Sequence, residues 1–216
     1  MPRTLAGALA ALLALTGVVS CGEPTTPDAD PAGSVRALVN EAGRHWHVEF
    51  TPLASPADAV RRADLIVTGT LVDVTEGITV ERPDGADGDV WATFEVRVER
   101  VLSGEAPAQA VIHVAVGKDV AVTADRLAAL NPQAKAVMVL ADRSGWEPDA
   151  DVRVTRPAGI PATAPLFMAY TDGMWLQGPK DDRMYAIQTE PADLPPPWSA
   201  PTTVEQFAER ITAAGS

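Results

Sequence analysis

Val90–Val101, VWATFEVRVERV, decides the fold class. Val90, Ala92, Phe94, Val96 and Val98 alternate with Trp91, Thr93, Glu95, Arg97 and Glu99, the period of two that gives a strand one apolar face and one polar face. Ser103-Gly104 is expected to end it. Upstream, Asp64–Val74, DLIVTGTLVDV, is β-branched and apolar on both faces, with Gly69 placed where a strand bends or bulges. Arg44–Phe50, RHWHVEF, alternates Trp46, Val48 and Phe50, expected in the core, with His45, His47 and Glu49. Downstream, Ala110–Val116 and Lys135–Leu140 read as strands, and Thr123–Leu130 between them as one or two helical turns capped by Thr123. Gly173–Leu176 and Met184–Gln188 read as a last hairpin around Gly178–Asp181. Ser55-Pro56-Ala57-Asp58 opens a short helix expected to reach about Ala63. Thr202-Thr203-Val204-Glu205 resembles a capping box, and Val204, Phe207, Ala208 and Ile211 follow at helical spacing. Many short strands with few helical turns predict a mainly β chain: a small antiparallel barrel or sandwich, a short helix before it and an amphipathic C-terminal helix.

Composition sets the outer limits. At 216 residues one folded domain is expected, and 46% hydrophobic with 21% charged residues exclude disorder throughout and a multi-span membrane protein. A formal charge of -12 removes the electrostatic drive toward phosphate backbones, so no nucleic-acid partner is expected. A single cysteine excludes a disulfide framework and any cysteine-rich metal site.

The N-terminus reads as an address. Arg3 is followed by Thr4–Val19, uncharged and rich in Leu and Ala, and then by Ser20-Cys21. This apolar run is shorter than the roughly 20 residues a spanning helix needs. Val18-Val19-Ser20-Cys21 resembles the lipobox of bacterial lipoprotein precursors. That resemblance implies cleavage before Cys21, a diacylglycerol group on its thiol and further acylation of the new amino terminus. It places the mature chain on the extracytoplasmic face of a cell membrane, with the membrane itself as a partner through Cys21. Only three lysines and two asparagines accompany fourteen arginines, a composition of GC-rich, actinobacterial-type genomes. Residues 1–20 are thus expected to be signal peptide. Residues 21–34, which carry EPTTPDADPAGS after the lipidated cysteine, are expected to form a semi-extended tether, and 35–216 a single β-rich domain.

The order of elements also carries a likeness. A short helix, Ala63–Val72 with its mid-strand glycine, an acidic loop, Thr93–Gly104 ending in Val101-Leu102-Ser103-Gly104, and then Val111–Val114 together look like uncharacterised secreted bacterial proteins. Those proteins, like netrin and metalloproteinase-inhibitor modules, are similar in carrying an OB-like barrel. The likeness covers roughly residues 55 to 141 and implies the fold alone, because the inhibitors act through a free, disulfide-tied N-terminal cysteine and Cys21 has no partner.

Candidate chemistry is sparse. His45 and His47 share a strand face and form an H-x-H pair able to give one metal ion two ligands; Glu49 on that face lies about 13 Å from His45 along a strand, too far to complete the set. His113 is a third ligand only if folding brings it near, and the plain alternative is a solvated face. Asp84–Asp89, DGADGD, is glycine-flexed and acidic, a calcium-type loop without the terminal acid of an EF-hand, or simply a wet turn; Asp149 and Asp151 form a weaker patch. No G-x-S-x-G, S-x-x-K, H-E-x-x-H or phosphate-loop motif occurs, so no catalytic residue and no cofactor is expected. Trp91, on the polar face of its strand, is the candidate binding residue for a protein, peptide or glycan, unless a helix or the Leu194–Trp198 segment covers it. The expected function is a lipid-anchored, non-catalytic binding or interaction module of the cell envelope. The alternative is a metal-binding envelope protein or metal-dependent hydrolase using His45 and His47.

Overall fold

The computed structural model describes residues 31–43, 50–81, 90–131, 133–145, 153–156, 160–161, 163–189, 194–196, 198 and 201–216. Five strands close on themselves: β1 (Leu65–Glu81), β2 (Val90–Gly104), β3 (Val111–Lys118), β4 (Lys135–Asp142) and β6 (Leu166–Gln177) pair in the circular order β1-β2-β3-β6-β4-β1. The result is a mainly β chain built on a small OB-like barrel. Two short strands are appended: β5 (Arg153–Thr155) on the far end of β1, and β7 (Tyr185–Ala186) on β6. Four of the five barrel pairings are antiparallel, while β3 and β6 run parallel through His113↔Leu166, Val114↔Phe167 and Ala115↔Met168. Parallel neighbours need a long crossover. Here it is supplied by a helix and β4, which lie between β3 and β6 in the chain.

The alternation in β2 holds at its centre, with Ala92, Phe94 and Val96 fully buried inside the barrel, while Thr93, expected on the polar face, is fully buried as well and Val90 and Val98 are only half-buried. Ala92, Phe94 and Val96 meet Leu65, Val67 and Leu71 of β1, Val114 of β3, Met138 of β4 and Leu176 of β6. β2 runs through Ser103 to Gly104 before ending. Gly69 sits at a register shift of β1, where a Cβ would lie 2.3 Å from the Arg97 carbonyl oxygen, so any other residue there would push β2 away. The double-sided apolar character of Asp64–Val74 has a direct cause. Ile66 of β1, Val137 and Val139 of β4, and Trp175 of β6 point outward into a second core.

That second core is roofed by helices. Ser55 caps α2 (Pro56–Arg62), accepting from the Asp58 amide, and Thr203 caps α4 (Val204–Ala214), accepting from the Gln206 amide. The cap of α4 therefore sits one residue later than the Thr202-to-Glu205 box, and Gln206 reaches back to accept from the Thr202 amide at 2.9 Å. Glu205 instead meets Lys135 at 2.7 Å, an exposed pair worth at most about 1 kcal/mol. Apolar burial holds the layer: Phe207 stacks on Trp198 at 4.6 Å, and Trp198 donates through Nε1 to the Leu53 carbonyl at 2.6 Å.

α1 (Pro31–Ala42) starts inside the segment expected to be tether. Val35, Leu38, Val39 and Ala42, at i, i+3, i+4 and i+7, are buried in the barrel's own cluster together with Leu127 of α3 (Ala124–Ala129). Arg126 of α3 pairs with Glu41 of α1 at 2.7 Å, and Asn131 donates to the Val72 carbonyl, so the two helices are tied to each other and to β1. Phe50, expected in the core, is 40% exposed and lies outside any strand; residues 44–49, the rest of that expected strand, lie outside the described residues. Among the described residues no helix is long and apolar enough to cross a membrane. Because Leu38 is fully buried against the barrel interior, Leu38→Ala should lower the unfolding free energy by about 2–5 kcal/mol in urea titrations, the loss of a core leucine and not of a linker residue.

Candidate functional site

β6 is irregular where it matters. It pairs with β4 in register from Gln177 to Met174 and again from Ala169 to Phe167, but between these runs β4 advances by one residue, Val139, while β6 inserts Tyr170, Thr171, Asp172 and Gly173. Bulges re-aim side chains and recur beside binding sites. Gly173 makes this one possible, because a Cβ there would stand 2.9 Å from the Cβ atoms of both Tyr170 and Val139.

Tyr170 and Asp172 of the bulge are held by specific contacts. The Tyr170 hydroxyl donates to the Arg62 carbonyl at 2.9 Å, and the Arg62 guanidinium lies 5.3 Å from the centre of the Tyr170 ring. Arg62 also donates to the carbonyls of Pro52 and Thr51 and to Asp58, binding the 50–53 segment to α2. The Asp58 carboxyl is held below its ordinary value first by the Ala54 amide and then by Arg62 and Arg61, against some desolvation. Asp172 is 3% exposed; its Oδ2 accepts from the Leu53 amide at 2.7 Å and its carbonyl from Trp175 Nε1 at 3.1 Å. Its Oδ1 is buried with no hydrogen-bond partner among the described residues. Burial pushes this carboxyl above the ordinary range, Asp58 adding to the shift while the Leu53 amide and Arg62 pull it back.

Two clefts flank the bulge and share Met168, Ala169 and Thr171. The larger, about 400 Å³, lies between this stretch and Phe50, Thr51, Arg62, Ala141 and Arg143. The smaller, about 120 Å³, is lined in addition by Trp91 of β2, Ala115, Val116 and Gly117 of β3, and Gln188. Trp91 is half-buried and, like Val154, packs against the small cluster of Ile78, Ala115 and Leu166. Both clefts thus lie against the same stretch of β6, one on the side of β4 and α2 and the other on the side of β2 and β3.

The other sequence candidates fall elsewhere. Cys21, His45, His47, Asp84–Asp89, Asp149 and Asp151 lie outside the described residues. His113 is half-buried opposite Glu95 on β2, and its Nδ1 is buried with no hydrogen-bond partner among the described residues. Among the described residues no group of three or more His, Cys, Asp or Glu side chains is placed to hold a metal ion. Met168, Tyr170, Thr171 and Asp172 were not singled out by the sequence. The available signal was Gly173 interrupting the apolar run LFMAYTDGMWLQ, the mark of a bulge in a strand.

The Asp172 shift has a defined sign. Between the ordinary carboxylate value of 3.8 and its raised native value, the folded state keeps a proton that the unfolded chain has released, so stability falls as pH rises through that window. Asp172→Asn retains an acceptor for the Leu53 amide and removes the titration. Unfolding free energies measured by urea from pH 4 to 7 should therefore show the wild type losing stability relative to the variant as pH increases. No protein-family model matches the chain, and no curated protein matches it.

Proposed function

We propose that this chain is a lipid-anchored, non-catalytic binding module on the outer face of a bacterial cell membrane, and that its ligand is an extended peptide segment of another envelope protein. The observation that carries the binding half is that the two clefts share Met168, Ala169 and Thr171 as lining, and in this reading they act as one groove over the barrel wall from Phe50 to Trp91. A soft methionine and two alanines, Ala141 and Ala169, form apolar lining, Phe50 and Tyr170 offer aromatic walls, and the threonine hydroxyls and Arg143 supply a few polar anchors. Such a lining accepts the apolar side chains of a peptide. Asp172 supports the wall of the groove and is not a reacting group in this reading, since it is 3% exposed and bound to the Leu53 amide.

The anchoring half rests on Val18-Val19-Ser20-Cys21, which puts the chain's one thiol at the end of an export signal. Two or three acyl chains give stable attachment, at about 0.8 kcal/mol per buried CH₂.

Both halves are open to test. An alkyne-tagged palmitate fed to expressing cells should label the wild-type chain and not Cys21→Ala. Peptides selected from a random displayed library on the full chain should bind Phe50→Ala and Met168→Glu about tenfold or more weakly. Val120→Glu, exposed and outside both clefts, should leave their binding unchanged. Equal binding to all three variants would refute the groove, and continued labelling of Cys21→Ala would refute the anchor.

A further inference from the structure

A second concavity lies apart from the groove, between α1 and β7. It measures about 190 Å³; Arg36 and Asn40 stand on its α1 side, Arg183 and Tyr185 on its β7 side, and the buried Val39 and Met184 contribute its apolar floor. Arg36 and Asn40 are one turn apart and so share a face of α1. Among the described residues no carboxylate lines the cleft.

The two guanidiniums are in different states. Arg183 lies 5.1 Å from the centre of the Tyr185 ring and donates from Nε to the Tyr185 hydroxyl at 3.3 Å, which fixes its plane and leaves its two terminal nitrogens to donate elsewhere. Arg36 is exposed and makes no hydrogen bond or ion pair among the described residues. Asp182 and Asp181, the two residues before Arg183 in the chain, act on its guanidinium. Asp181 is engaged with the Gly178 amide at 3.0 Å, and neither acid lines the cleft.

We propose that this cleft is an oxyanion site that takes a phosphate group. Two guanidiniums from opposite walls, with an amide and a phenol beside them, offer more donors than a carboxylate's two oxygens use, since one arginine satisfies a carboxylate in a single fork. A phosphate accepts on three or four oxygens. The chain's overall charge of -12 does not forbid it: at physiological salt, charges more than about 8 Å away are largely screened, so the local balance decides, in which Arg36 and Arg183 line the cleft while Asp181 and Asp182 act on Arg183 from outside its lining. The phosphate belongs either to a soluble ester or to a lipid headgroup. Pro31, where α1 begins, is ten residues after Cys21, a reach of about 33–36 Å, so a bilayer holding an acylated Cys21 would be within range. The site is independent of the groove over β6, and its failure would leave that reading untouched.

The test uses the full chain in non-ionic detergent micelles and follows the arginine Nε–Hε resonances by nuclear magnetic resonance, with Arg36→Gln and Arg183→Gln identifying the two signals. Inorganic phosphate should shift both signals saturably, and each variant should weaken binding about tenfold or more, the loss of one charge-assisted donor set. Arg36→Lys, which keeps the charge and loses the fork, should fall between wild type and Arg36→Gln. Doping the micelles with phosphatidic acid separates the sources. If the same two signals shift and free phosphate then competes, the ligand is a lipid headgroup; if only free phosphate acts, it is a soluble ester. Shifts reproduced by sodium chloride at the same ionic strength, or unchanged in both glutamine variants, would overturn the site.

Discussion

Five strands make a closed barrel only if the last strand finds the third, and the parallel pairing of β3 with β6 is the contact on which the rest depends. Without it β2–β3 and β6 would each present a free edge, and the interior would open along the seam where Phe167 lies beside Val114. The same strand must also run antiparallel to β4 over most of its length. Serving two partners of opposite sense around a small, strongly curved wall gives β6 a reason to bulge, and the four inserted residues absorb the mismatch against Val139.

The bulge in turn shapes the outer surface. It turns Tyr170 toward Arg62 and Asp172 toward Leu53, so that the segment before α2 and the helical roof are fastened to the barrel at one place. Among the described residues roofing is asymmetric: α2, α4 and Trp198 cover the outward side chains of β1, β4, Trp175 and Leu102 near the end of β2, while the small cluster around Trp91 lies on the outer side of the start of β2 and of β3. Met168, Ala169 and Thr171 of β6 sit at the boundary between the two outer clusters and line both clefts.

Much of this was legible from residues. The alternation of β2 declared its buried face, Gly69 its bend, Ser55 the start of α2, and Val204, Phe207 and Ile211 the buried stripe of α4. α1 was obscured by its neighbours: the proline-rich, acidic run before Ser34 masked the helical spacing of Val35, Leu38, Val39 and Ala42. β6 was harder, because a strand buried on both faces loses the alternation that identifies strands, and only its second half was read as one. Within it, Tyr170-Thr171-Asp172-Gly173 looks locally like a turn; only the pairing partner, Val139, reveals it as a bulge. Trp91 stood out as an aromatic on a polar face, and it lines the smaller cleft, but the residues around it come from β3 and β6 and could be gathered only by the closed topology.

Closure can be measured without reference to any ligand. Native-state hydrogen exchange should show the paired amides within 113–115 and 166–168 protected as strongly as those joining β1 to β2, opening only with global unfolding. Exchange of the β3 and β6 amides at the pace of the 178–183 loop, while β1 and β2 stay protected, would mean that the barrel is open and that the groove does not exist as a fixed surface.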